Sequence, residues 1–134
     1  MKYMLMIMGD QATYDAMSGK SADSPWTEEL MRGMFAHMGA LNSELAEKGE
    51  LVDAQGLTAP SEAKFVTAED GKPLVSDGLY GESTEVLAGY WVVDVADEAR
   101  AIEIAARVHS CPVPEGFVDP PVVVRPIPDG GAEM

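Results

Sequence analysis

Hydrophobic and polar residues follow two different periods along the chain, and their order predicts its elements. Residues 2–8, KYMLMIM, are apolar on both sides of an extended chain, which is typical of a central strand. Ser24 and Pro25 predict the start of a long helix, and Gly49 predicts its end. Apolar residues recur at helical spacing between them, at Leu30, Met31, Met34, Met38, Leu41 and Leu45. The small and polar residues 9–24 predict a loop.

The second half of the chain predicts mainly strands. They are expected over residues 50–58, 62–69, 72–76, 88–95 and 121–127. Asp70-Gly71 predicts a tight hairpin turn. Residues 97–108 have helical periodicity and predict a second helix, with Asp94 or Asp97 as its cap. The prolines of the last strand favour a position at the sheet edge.

This order of elements predicts an α+β fold of the ferredoxin-like, split βαβ type. An antiparallel sheet would carry two helices on one face. Because several strands are apolar on both sides, the other sheet face also needs cover, and we expect a homodimer packed sheet to sheet. Residues 1–127 would form a single domain, followed by a flexible tail at 128–134.

Charge narrows the possible partners. The net charge is -14, from nine basic and 23 acidic residues, which disfavours nucleic acid and anionic membrane surfaces. No apolar run approaches the ~20 residues that a membrane span needs. The N-terminus lacks a signal-peptide pattern, and the single cysteine excludes an internal disulfide, so the sequence favours a cytoplasmic location.

Few residues are candidates for chemistry. His37 falls at the edge of the apolar stripe of the first helix, where it either reaches a cleft or makes one structural hydrogen bond. His109 follows the second helix and suits its negative end, and Cys111 is expected to be inert. Metal-binding spacings and nucleotide-binding loops are missing from the sequence, so neither a metal nor a cofactor is predicted.

The nine methionines allow two interpretations. Met31, Met34 and Met38 have helical spacing, whereas the methionines within residues 2–8 have strand spacing. We expect an adaptable core where the first helix lies on the first strand, with a methionine-lined ligand pocket as the alternative.

The stretch LVSDGLYGESTEVLAGYW, residues 74–91, places carboxylates in a glycine-rich connection between two strands. Asp77 directly follows a strand, where it is either a turn residue or an acid–base group with a raised pKa. Glu82 and Glu85 are three residues apart, so a single helical turn would place them on one side.

This stretch resembles the signature of the DGPF group of YCII-related proteins, LVTDGPFAETKEQLGGYY. The opening MKYMLMIMGD, Gly49 and the segment VRPI at 124–127 agree as well, so the resemblance covers nearly the whole chain. The chain departs from the signature at Leu79-Tyr80, which replaces the Pro-Phe pair, and at Thr84, which replaces a lysine.

The resemblance implies a ferredoxin-like fold of the dimeric α/β-barrel group and a pocket for a small organic molecule, with aromatic molecules among the candidates. It implies Asp77 as the acid or base with His37 as its catalytic partner. Glu82, Tyr80 and Tyr90 are the expected substrate-binding residues. Two alternatives stay open: a non-catalytic dimeric or regulatory module linked to a sigma-factor system, and a metal-assisted lyase using His37 and the carboxylates.

Overall fold

The computed structural model describes residues 1–19, 24–77 and 84–129. The helices are α1 (Gln11–Met17), α2 (Glu28–Glu47) and α3 (Glu98–His109), and a short 3-10 turn spans Pro60–Glu62. The strands are β1 (Lys2–Gly9), β2 (Leu51–Gly56), β3 (Lys64–Glu69), β4 (Lys72–Asp77), β5 (Val86–Asp94) and β6 (Val123–Ile127).

Four of the strands form an antiparallel sheet in the order β2-β5-β1-β6. The strand β1 is central and β6 lies at an edge, as the sequence predicts. Helices α2 and α3 contact each other and pack on this sheet. The arrangement is consistent with the predicted ferredoxin-like α+β fold, to which the hairpin β3–β4 and the helix α1 are added.

Helix α2 begins three residues later than the sequence predicts. The cap is the Thr27 side chain, which accepts from the Leu30 amide at 3.1 Å, whereas Ser24 instead donates to the Ala16 carbonyl at 2.6 Å. The Ser24 hydroxyl also accepts from the Trp26 amide at 3.2 Å, two residues on, and the helix itself starts only after Thr27. The predicted stop at Gly49 is confirmed, with φ at 69°.

The predicted loop at 9–24 is wrong in its first half, because Gln11–Met17 is helical. Asp10 caps this helix by accepting from the Thr13 amide at 2.8 Å, and the Gln11 side chain donates to Asp15 at 2.9 Å. A seven-residue helix is marginal in isolation, so its contacts with the rest of the fold must stabilise it.

The core lies between the sheet and the helices α2 and α3. Its buried members include Tyr3, Leu5, Leu41, Leu45, Trp91, Val93 and Ile104. Since Tyr3 and Leu5 face the helices, strand alternation turns Met4 and Met6 to the opposite face. The prediction that the β1 methionines pack against α2 is therefore wrong for Met4 and Met6. The opposite face, here called the outer face, carries Met4, Met6, Tyr90, Val92 and Val123.

The hairpin β3–β4 has the predicted turn, in which Asp70 and Gly71 have φ values of 51° and 76°. Every residue of both strands is exposed, including Val66 and Val75. No helix of the described residues is long and apolar enough to span a membrane.

Candidate functional site

A cleft of about 740 Å³ opens beside the core, between the helices and the sheet. The helices α1 and α2 form two of its walls, and the end of α3 with the following segment 110–120 forms a third. The ends of β1, β2 and β5 lie at its base. Its volume lies within the range of small-molecule sites, roughly 300–1,000 Å³.

Methionine and aromatic side chains dominate the lining. They include Met17, Met31, Met34, Met38, Trp26, Phe35, Trp91 and Phe117. The rings of Trp26 and Phe117 meet edge to face with centroids 5.4 Å apart, so they connect the segment before α2 to the segment after α3. Phe35 is 61% exposed although it lines the cleft, which leaves an apolar rim open to solvent.

Tyr14 fastens α1 over one end of the cleft. Its hydroxyl lies 2.9 Å from the Leu57 carbonyl oxygen and 3.2 Å from that of Ala88, so it can donate to either. Partial burial raises the pKa of Tyr14, which keeps the hydroxyl a donor. The wall that the sequence predicted as loop is thus attached to the ends of β2 and β5.

Two polar contacts lie deeper in the cleft. The indole nitrogen of Trp91 donates to Asn42, which fixes the ring against α2. The Cys111 sulfur lies 3.7 Å from the Met34 carbonyl oxygen, and burial raises its pKa to about 11. The thiol is therefore protonated at neutral pH, consistent with an inert cysteine.

His109 and Asp119 form a polar pair in the wall of the cleft. The Nε2 atom of His109 lies 3.8 Å from Asp119 Oδ2 and 3.4 Å from the Asp119 carbonyl oxygen. Burial raises the pKa of the Asp119 carboxyl, and the nearby His109 opposes this shift. An imidazole and a carboxyl that border the same cleft can each exchange a proton with a molecule bound beside them.

The charged lining is acidic. Three carboxylates, those of Asp10, Glu85 and Asp119, line the cleft together with His109, whereas no lysine or arginine is among its described lining residues. A group of three or more side chains suited to a metal ion does not occur within residues 1–19, 24–77 and 84–129.

The two residues predicted as a catalytic pair have other neighbours. Asp77 ends β4, is 72% exposed and pairs with Lys64 across the hairpin. His37 donates from Nε2 to the Arg107 carbonyl oxygen at 2.7 Å, which connects α2 to α3. Neither lines the cleft in the described part of the chain, and His37 makes the structural hydrogen bond that was its alternative interpretation.

Of the three predicted substrate-binding residues, only Tyr90 belongs to the part of the chain that the structure describes. Tyr80 and Glu82 lie outside the described residues. Tyr90 borders the cleft, but its hydroxyl donates to Asp53 at 3.1 Å, and this hydrogen bond raises its pKa. Strand alternation turns its ring away from the neighbouring Trp91 and toward the outer face.

Sequence reasoning missed Asp119 and the part that α1 plays in the cleft. Asp119 belongs to an irregular proline-containing segment, VDPP, where no periodicity predicts which side chains point inward. One available signal was the presence of large apolar side chains, Met17 and Phe117, in segments without a predicted helix or strand. Such residues need a surface to cover.

The fold and the cleft together define a small α+β protein with an apolar, acid-lined cavity between helices and sheet. A sequence model of the YCII-related domain matches residues 1–115, and the chain belongs to this family. It is also similar to an uncharacterised protein of Rhizobium meliloti (strain 1021), with 26% identity over 108 residues. That alignment covers 81% of this chain and 84% of the relative.

Proposed function

We propose that this YCII-related protein binds a small, largely apolar organic molecule in the cleft between its helices and sheet. The observation that supports this most is the 740 Å³ volume lined by methionines and aromatic rings, with an exposed apolar rim. Methionine side chains adapt to irregular ligands, and aromatic rings supply contact area at low entropic cost.

Intrinsic fluorescence tests the proposal directly, because the chain has two tryptophans, and both Trp26 and Trp91 line the cleft. A neutral probe, 4-phenyl-1-butanol, is expected to change the tryptophan emission saturably. Met31→Lys places a charge in the lining and should abolish this change. Ala36→Lys, at an exposed position of α2 outside the lining, should preserve it. Equal responses of the two variants would contradict the proposal.

Two residue sets are candidates for proton transfer. Asp77 remains a prediction that rests on its place in the signature. The substrate-binding roles of Glu82 and Tyr80 and the assignment to the DGPF subgroup rest on the same signature. The pair His109 and Asp119 is supported by its position in the cleft wall. If bound molecules react there, Asp119→Asn should reduce turnover without loss of folding, whereas Asp77→Asn should leave cleft binding within about twofold of wild type. Loss of turnover in Asp77→Asn, with turnover kept in Asp119→Asn, would favour Asp77 as the proton-transfer group.

A non-catalytic dimeric module is the second proposal, and the outer face favours it. Met4, Met6, Val92 and Val123 supply apolar side chains on the sheet side opposite the core, where Arg125 lies opposite Met4, and Val123 is 41% exposed. Two copies packed through this surface would cover it, as in a dimeric α/β barrel. A sigma-factor link rests only on the resemblance of the sequence.

Light scattering measures the molar mass and so tests the dimer directly, since a dimer has twice the 14.3 kDa mass of the chain. Met6→Lys should shift the protein to monomer, because a buried unpaired charge at an interface is costly. Ala36→Lys again serves as the control of equal charge. A wild-type mass of one chain at high concentration would refute the dimer.

A further inference from the structure

The charge of the cleft restricts the chemical class of its ligand. Its carboxylates come from different parts of the chain, with Asp10 before α1, Glu85 before β5 and Asp119 after α3. The only other ionisable side chains in its described lining are His109, Tyr14, Tyr90 and Cys111, and the pKa values of both tyrosines and of the cysteine are raised. Among these described lining residues, an anionic ligand would therefore meet like charge and no permanent cation.

The three carboxylates are not equally available. Asp10 already accepts the Thr13 amide as the cap of α1. Asp119 has 29% of its side chain exposed, and its contact with His109 at 3.8 Å is longer than a hydrogen bond. Glu85 is exposed at the edge of the cleft. Asp119 and Glu85 can thus accept a hydrogen bond from a bound donor.

The apolar part of the lining also suits a cation. Trp26, Phe35 and Phe117 line the cavity, and the face of an aromatic ring attracts an ammonium group. The chain as a whole carries a net charge of -14, which favours the approach of cations.

We infer that the ligand class of this cleft is an apolar amine, with a hydrocarbon or aromatic body among the methionines and rings and its ammonium group near Asp119 or Glu85. This inference rests on the proposed function of the cleft. It excludes the hydrophobic carboxylic acids that an apolar cavity alone would also accept. A neutral molecule with the same body should bind with intermediate affinity.

Three probes with one phenylbutyl body separate charge from shape. They are 4-phenylbutylamine, 4-phenyl-1-butanol and 5-phenylpentanoate, each titrated against tryptophan emission from Trp26 and Trp91. The amine should bind at least about tenfold more tightly than the carboxylate, because a charge within several ångströms of a partly buried carboxylate interacts strongly. The alcohol should fall between them.

Variants identify the groups responsible. Asp119→Asn and Glu85→Gln, made separately and together, should narrow the ratio between amine and carboxylate affinities while leaving the alcohol within about twofold of wild type. Asp70→Asn removes the same charge in the exposed hairpin turn, where asparagine also tolerates the φ of 51°, and should leave the ratio unchanged. Either cleft variant suffices if the other fails to fold.

The possible outcomes distinguish failure of the amine ligand class from failure of ligand binding in the cleft. If the alcohol binds but the carboxylate binds as well as the amine or better, the amine class is overturned and the cleft proposal stands. If Asp70→Asn narrows the ratio as much as the cleft variants do, net charge explains the preference and the site assignment fails. If none of the three probes changes the emission, both the cleft and its ligand class are refuted.

Discussion

The pair formed by Glu50 and Arg100 offers the sharpest test of how the helices are held on the sheet. Glu50 lies between α2 and β2, and its carboxylate accepts from Arg100 of α3 at 2.8 and 3.0 Å. Only 16% of the Glu50 side chain and 21% of the Arg100 side chain are exposed. Because solvent screens such a pair weakly, we expect it to stabilise the fold more than a surface pair does.

The perturbation is Arg100→Met, which keeps the apolar stem and removes the guanidinium. Charge-assisted hydrogen bonds contribute roughly 1.5–3 kcal/mol, and the half-buried Glu50 would lose its partner. We expect the free energy of unfolding at pH 7 to fall by about 2 kcal/mol. For a chain of this size, this is a decrease in Tm of roughly 6–10 °C.

The matched control is Arg32→Met. Arg32 pairs with Glu28 one turn earlier on α2, with side chains 74% and 87% exposed. Such a pair contributes about 0.3–0.5 kcal/mol at most. Urea unfolding followed by circular dichroism would compare the two variants. If both lose the same stability, burial of the Glu50–Arg100 pair does not matter and the reasoning is refuted.

The pH dependence of this pair follows from its hydrogen bonds. The Arg100 guanidinium lowers the pKa of Glu50 from its ordinary value of 4.5. A carboxyl whose pKa is lower in the folded state stabilises fully above its unfolded pKa and loses this contribution as pH falls through the folded pKa. The stability difference between wild type and Arg100→Met should therefore be constant from pH 7 to about 5 and narrow in more acidic solution.

Three further predictions concern packing and reactivity. Gly89→Ala would place a Cβ 3.0 Å from the Gln55 carbonyl oxygen, so it should lower the free energy of unfolding by about 1–3 kcal/mol. Gly56→Ala should lower it by less than about 1 kcal/mol in the same urea unfolding, because no atom of the described residues beyond its chain neighbours lies within 4 Å of the new Cβ. Leu41→Ala should cost about 2–5 kcal/mol because Leu41 is 1% exposed, whereas Ile102→Ala, at a position 54% exposed, should stay within about 1 kcal/mol. Cys111 should react with a thiol reagent at pH 8 at least about 100-fold more slowly than a thiol with the ordinary pKa of 9.0, since its pKa is about 11. Rapid labelling of the native protein would instead show that the sulfur is accessible.

The elements with strong periodicity could be predicted from the sequence. The stripe that ends with Leu41 and Leu45 buries the predicted side of α2, and the hairpin turn at Asp70 has the predicted conformation. These features depend on residues close together in the chain, so local patterns suffice. The choice between Ser24 and Thr27 as the cap of α2 could not be made in this way, because both residues have a hydroxyl suited to a cap.

The candidate site was much less predictable. The signature led to Asp77, whose described partner is Lys64, whereas the cleft has Asp119 and His109 in its wall. His37 lay at the edge of the apolar stripe, and either a cleft or a neighbouring helix could have received it. The position of α3 decided this, because its Arg107 carbonyl lies within hydrogen-bond distance.

The sequence by itself determined the order of the elements other than α1, the α+β class, the family resemblance and the acidic charge. Each of these depends on composition or on residues that are neighbours along the chain. The tertiary structure decided which face of β1 is core, that residues 11–17 form a helix, and that three distant segments enclose one cleft. A seven-residue helix and an irregular segment have too little local preference to fix their own positions, so only their contacts across the fold do so.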